Sequence, residues 1–167
     1  MRALGKASVM VSKKDQFMRR AITLSLKQMH AGQGGPFGAV VVRRGRIVGE
    51  GWNKVLAKND PTAHAEVEAI RAACRKLGDF DLSDCELYTS CEPCPMCLAA
   101  IYWARIRRVY YGNTRKDAAR IGFDDELIYR EIPKPLAKRK IPMRPHLRAE
   151  AQTAFKAWTA KADKTRY

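Results

Sequence analysis

Two short segments of this chain carry residues whose types and spacing could do chemistry. One holds His64 and, two positions on, Glu66; the other holds Cys94 and Cys97 within Pro93-Cys94-Pro95-Met96-Cys97. An imidazole and two sulfurs are donors suited to tetrahedral zinc, and the Cys-x-x-Cys interval lets one helical turn present both sulfurs to one ion. Three protein donors leave a fourth position for water, which separates a catalytic zinc from a closed structural one. A carboxylate beside metal-activated water can take its proton and later deliver one to a substrate, which gives Glu66 a role without making it a ligand. A structural zinc knot completed by Cys91 is the blander arrangement. It leaves Glu66 and the Gly34-Gly35 run without a task.

Those residues must be positioned by regular elements. Phe17, Ala21, Leu24 and Gln28 recur at helical spacing, with Ile22, Leu26 and Met29 widening the face, so a helix is expected from about Lys14 to Met29. The run from Ala31 to Pro36 ends it. Gly38 to Val42 and Ile47 to Gly51 read as a hairpin about Arg43-Arg44-Gly45-Arg46. Asn59-Asp60-Pro61-Thr62 has the residues of a helix start, and Val67, Ile70, Ala73, Cys74 and Leu77 then share one face until Gly78. Strands are expected at Glu86 to Thr89 and Arg108 to Gly112, with an apolar helix from about Pro95 to Arg105 between them. His64 and Cys94 therefore both fall near helix starts, where backbone N–H groups favour thiolates. The stretch from Asn113 onward is less regular and closes with a helix around Ala149 to Ala160. The order implies an α/β layered domain around a mixed sheet, with all of residues 1–167 in one domain.

Composition narrows the class. With 46% of 167 residues hydrophobic, a disordered chain is excluded. No apolar run approaches the roughly 18–20 residues that span a bilayer. The first residues lack the apolar stretch of a secretory signal, so a cytoplasmic protein is expected. The five cysteines, Cys74, Cys85, Cys91, Cys94 and Cys97, are odd in number and clustered, which fits metal binding rather than a disulfide framework. Cys74, Cys85 and Cys91 read as buried thiols. Lys and Arg number 32 against 17 Asp and Glu, a net charge of +15. Such a surface attracts polyanions, but the basic clusters are read as not interleaved with aromatic residues, and nucleic acid is not the favoured partner.

His-x-Glu followed by Pro-Cys-x-x-Cys is the signature of zinc-dependent deaminases. The chain resembles the cytidine deaminase-like superfamily, and within it the guanine deaminases. The resemblance is sharpest at Gly34 to Val40, Asn59 to Val67 and Tyr88 to Cys97; Ala100 to Arg105, Gly122 to Asp125 and the terminal tyrosine favour the guanine branch. It implies a three-layer α/β/α fold with about five strands, one Zn2+ held by His64, Cys94 and Cys97, and hydrolysis of guanine to xanthine and ammonia. Guanosine or cytosine deamination is the neighbouring reading, and tRNA adenosine deamination a further one. By the same resemblance Glu66 shuttles the proton and Asp125 contacts the leaving amine. Asn53, Phe37, Ala65, Trp103 and Tyr167 would contact the base. Tyr167 would do so from the partner subunit of a homodimer that exchanges its C-terminal segment, about residues 145–167. Relative to compact members the N-terminus is about ten residues longer.

Overall fold

The computed structural model describes residues 12–166; the N-terminal extension and Tyr167 lie outside them. Helix α1 spans Lys13–His30 and starts from a capping box, with the Ser12 hydroxyl accepting from the Asp15 N–H and the Asp15 carboxylate from the Ser12 N–H. Strands β1 (Gly38–Arg43) and β2 (Arg46–Trp52) form the hairpin. Its two central residues, Arg44 (φ 49°) and Gly45 (φ 73°), supply the paired positive φ values that a tight right-twisted hairpin needs. A short helix α2 (Val55–Lys58) precedes α3 (Ala65–Leu77), which ends on Gly78 in the left-handed conformation. Then follow β3 (Cys85–Cys91), α4 (Pro95–Trp103) and β4 (Arg108–Asn113).

The expected helix start at Asn59 to Thr62 is corrected. Asp60 turns its carboxylate onto the Thr62 backbone N–H (2.8 Å) and hydroxyl (2.7 Å), closing a local turn. The helix itself starts at Ala65 with His64 as its N-cap. Asx-Pro-Thr is a turn signal as much as a helix signal, and here the turn wins. The stretch after Asn113, expected to be irregular, holds α5 (Arg115–Arg120) and α6 (Glu126–Glu131) before α7 (Arg148–Ala160).

Among the described residues the sheet has four strands in the order β2-β1-β3-β4, against the five expected. The two pairings of β1, with β2 and with β3, are antiparallel, whereas β3 and β4 are parallel across α4, so the sheet is mixed. Strand periodicity divides the core into two faces. Val40, Val42 and Tyr88 meet Leu24 of α1 and half-buried Phe17, Met18 and Trp52. Ala39, Val41, Leu87 and Cys85 meet Ala65, Ala69 and Ala73 of α3, Ile101 of α4 and its C-cap Ala104. That is the three-layer arrangement. No helix among the described residues is long and apolar enough to cross a membrane.

α3 lies unusually close to β2, because glycine on the strand faces alanine on the helix. A Cβ on Gly51 would run into the Ala65 carbonyl oxygen and the Ala69 nitrogen; one on Gly49 would meet the Ala69 carbonyl and Ala73. This contact sets the height of the helix whose first turn carries His64 and Glu66. Gly51→Ala is expected to lower stability by about 1–3 kcal/mol through overpacking and to weaken zinc retention in parallel. Denaturant midpoints and zinc content of the purified variant measure both.

Candidate active site

Two helix N-termini converge where β3 ends. His64 is the N-cap of α3 and Cys94 the N-cap of α4, both in extended backbone, and neither side chain caps its own helix. Pro95 opens α4 at a position where a missing N–H costs nothing. One turn on, Cys97 returns to the same place. The His64 Nδ1 lies 3.5 Å from each sulfur, and the three donor atoms all fall within 4.8 Å of one another. A soft nitrogen and two sulfurs in that triangle, with one side open, suit zinc.

The electrostatics point the same way. Contact with Cys97, and after it His64 and the local backbone, holds the Cys94 thiol down to about 4 despite burial. Cys97 is pushed strongly upward, first by Cys94 and then by burial and the Glu66 carboxylate. The two sulfurs thus divide one proton between them, and a divalent cation is what would let both ionise. Cys91 does not join them; its sulfur faces the Thr114 carbonyl oxygen at 3.7 Å, and burial raises its pKa to about 11. The closed four-donor knot is not built.

Glu66 sits on the first turn of α3, 5% exposed. Its Oε1 accepts from the Thr89 hydroxyl (3.1 Å) and its Oε2 faces the Cys97 sulfur at 3.4 Å. Burial raises its pKa, so it is readily protonated, as a proton carrier must be. Above this group opens a cavity of about 610 Å3 whose lining includes His64, Glu66, Cys94, Asn53, Phe37 and Asp125. Asn53 is buried, and its Oδ1 accepts the backbone N–H groups of Gly35 and Val55, each at 3.2 Å. With the oxygen so used, the side-chain NH2 is left to face the cavity as a donor. Phe37 forms one wall.

Two of the expected residues lie away from the cavity of this chain. Trp103, 70% exposed at the far end of α4, does not line the cavity of its own chain. α4 enters the site by its N-terminus, and nine residues of helix carry its last residue roughly 12 Å away. Ala65 packs its methyl into the core beneath the site rather than lining the cavity. Tyr167 lies outside the described residues. Other residues went unrecognised in the sequence. Phe123 meets Phe37 edge to face, centroids 4.9 Å apart at 89°, and doubles the aromatic wall. Gly35 lies beneath that pair, where a Cβ would come within 2.9 Å of Phe123. Asp124 accepts the Glu126 N–H at 2.9 Å, so it takes the turn-forming role and leaves the Asp125 carboxylate uncapped beside the cavity. Burial, then the charge of Cys94, raise the Asp125 pKa. No spacing rule finds Thr89, Phe123 or Arg115, which also borders the cavity.

An open three-donor metal site with a buried carboxylate beside it, on the floor of an aromatic-walled cleft, defines a metal-assisted hydrolase of a flat polar ring. Residues 11–113 match the cytidine and deoxycytidylate deaminase zinc-binding region, and the chain belongs to that family. It is 54% identical to the guanine deaminase of Bacillus subtilis over 153 residues, 92% of this chain and 98% of that one. The X-ray structure of that enzyme superposes with a TM-score of 0.89 over the same shares. A tRNA-specific adenosine deaminase of Agrobacterium fabrum is 52% identical over 77 residues, 46% of this chain and 51% of the relative. A structure solved with 8-azaguanine bound is 36% identical with a TM-score of 0.64, covering 69% of this chain and 66% of that one.

Removing one sulfur should empty the metal site. Cys97→Ala is expected to fold and to lose its zinc, whereas Cys91→Ala keeps about one ion per chain. Metal analysis of the purified variants distinguishes a three-donor site from a four-donor knot.

Proposed function

We propose that the chain hydrolyses guanine to xanthine and ammonia. The observation that carries this reading is Glu66, buried against Thr89 and Cys97 at the floor of a cavity that Asn53 supplies with a fixed donor. Zinc held by His64, Cys94 and Cys97 would bring the pKa of a bound water toward 7. Glu66 would accept the proton of a water so activated as the water oxygen adds to C2 of the base, and would deliver that proton to the ring nitrogen. Collapse of the tetrahedral carbon breaks the bond to the amine, which leaves as ammonia after a second protonation. The Asp125 carboxylate accepts from the amine and helps protonate it. The Asn53 NH2 group donates to an oxo or ring-nitrogen acceptor on the purine, which guanine presents where adenine carries an amino donor. Phe37 and Phe123 hold the ring flat and exclude water.

The likeness to a guanine deaminase over nearly the whole chain supports this substrate. The net charge of +15 and the partial likeness to tRNA-specific adenosine deaminases favour RNA editing as the second reading. A panel of guanine, guanosine, cytosine, adenine and a tRNA anticodon stem, followed by ammonia release, separates them. Guanine is expected to turn over best; release from the anticodon stem alone would overturn the assignment. Glu66→Gln should keep its zinc while turnover falls by several orders of magnitude. Asn53→Ala should lower kcat/KM for guanine about 10- to 100-fold, the loss of one or two hydrogen bonds to substrate.

We also propose a cytoplasmic homodimer that exchanges its C-terminal segment, with Tyr167 closing the partner's cavity. α7 supports it: Phe155 (70% exposed) and Trp158 (44%) are uncovered, and the helix makes no extensive packing contact with the other elements. Mixing tests it. Glu66→Gln and Tyr167→Ala chains, each impaired alone, should regain turnover when refolded together, because one hybrid site then has both residues. No recovery would mean that Tyr167 acts within its own chain or not at all.

A further inference from the structure

The two halves of the cavity are fastened to the fold differently. The metal half is built on α3, β3 and α4, which pack through the core. The other half, Phe123 and Asp125, rides on the segment joining α5 to α6, and α6 makes no extensive packing contact with the sheet or with α1 to α4. Something else must fix Asp125 relative to the sulfurs.

Two side chains in series, Glu92 and Arg115, span that gap. Glu92, between Cys91 and Cys94, accepts the Arg115 backbone N–H through Oε2 at 2.9 Å, and donates its own N–H to the Asn113 carbonyl at 2.8 Å. The start of α5 is thereby pinned to the cysteine segment. From there the Arg115 guanidinium reaches forward to α6. Its Nη2 lies 3.3 Å from Glu126 Oε2, and its carbon sits 4.2 Å from the centre of the Tyr129 ring. Glu126 is the residue after Asp125, and Tyr129 is one turn further along the same helix. Ion pair and ring contact together fix both the approach and the rotation of α6. The Arg115 side chain is one-third exposed and borders the cavity, so it is neither a core residue nor a freely solvated one.

We propose that Arg115 is the positioning residue of this site, latching α6 to the cysteine segment so that the Asp125 carboxylate stays aligned with the metal donors. The proposal rests on the role given to Asp125 above. Arg115 acts through Asp125 and does not itself contact substrate. Its worth is therefore the cost of misplacing a reacting group, for which a shift of about 1 Å can take up to about 100-fold in rate.

A double-mutant cycle tests it, with guanine turnover, zinc content and thermal midpoint measured on each chain. Arg115→Met is expected to lower kcat/KM about 10- to 100-fold while zinc is retained. Arg115→Lys, which keeps the charge opposite Glu126, should recover part of the loss. Asp125→Asn should lower turnover on its own, and adding Arg115→Met to it should cost little more, because the latch then has nothing left to place. Should Arg115→Met prove unstable, Glu126→Gln probes the latch from the other side and should show the same non-additivity with Asp125→Asn. Arg130→Gln, which removes only the second partner of Glu126 (2.9 Å away), should leave turnover unchanged. Additive losses, an unaffected Arg115→Met or Glu126→Gln, or a lysine no better than methionine would overturn the latch. Full turnover in Asp125→Asn would instead overturn the role of Asp125 and leave the zinc and Glu66 chemistry standing.

Discussion

The structure depends on two helix N-termini brought against each other at the end of a strand. Ordinarily an N-cap side chain satisfies the free N–H groups of its own first turn. His64 and Cys94 occupy N-cap positions and decline that role. Their side chains point across the gap, and the positive ends of two helix dipoles point with them. That concentration of uncompensated positive potential makes it feasible to collect two sulfurs and a carboxylate in one buried place. The close glycine–alanine contact of β2 with α3, and Pro95 at the start of α4, are there to hold the termini at that distance.

The same constraint limits what can bind. Glu66 touches Cys97, which in turn touches Cys94, and three negative charges at that spacing cannot coexist without a cation. The opposite drifts of the two thiols and the upward push on Glu66 are the protein's response to its own donors. A dication would let both sulfurs ionise, while Glu66 keeps the hydrogen bond it accepts from the Thr89 hydroxyl. Affinity for metal and reactivity toward water are thus two consequences of one electrostatic arrangement.

The metal half of the site was legible in the sequence because its chemistry is local. His64-x-Glu66 and Cys94-x-x-Cys97 are each contained in one helical turn, and the hairpin at Arg44-Gly45 and the apolar faces of α1 and α3 follow short-range periodicity. Expectation and structure part where a local signal is ambiguous or a distance had to be guessed. Asp60-Pro61 serves a turn as well as a helix, and Trp103, close to Cys97 in sequence, sits at the end of α4 that leaves it outside its own chain's cavity. Residues that meet only through tertiary structure left no trace: Phe123 against Phe37, Thr89 against Glu66, Arg115 against Tyr129. Asn53 was expected to contact the base. That its oxygen is committed to two backbone donors, which makes it a donor toward the cavity, could only be seen in three dimensions.

The boundary between these halves also divides the close-packed layers from a more loosely attached segment. The residues that match the deaminase zinc-binding family end at Asn113, and they include the metal donors, Glu66 and Asn53. Phe123, Asp125, Arg115 and α7 all lie beyond it. A core of close-packed layers cannot shift one residue without disturbing its neighbours, so the reaction machinery built into it tolerates little change. A segment held by one ion pair, two ring contacts and a few hydrogen bonds can be rebuilt without unsettling the sheet. Such a segment is where a family keeping one hydrolytic reaction would alter the ring it accepts, while an ordered latch such as Arg115 supplies the alignment that a mobile loop would lose.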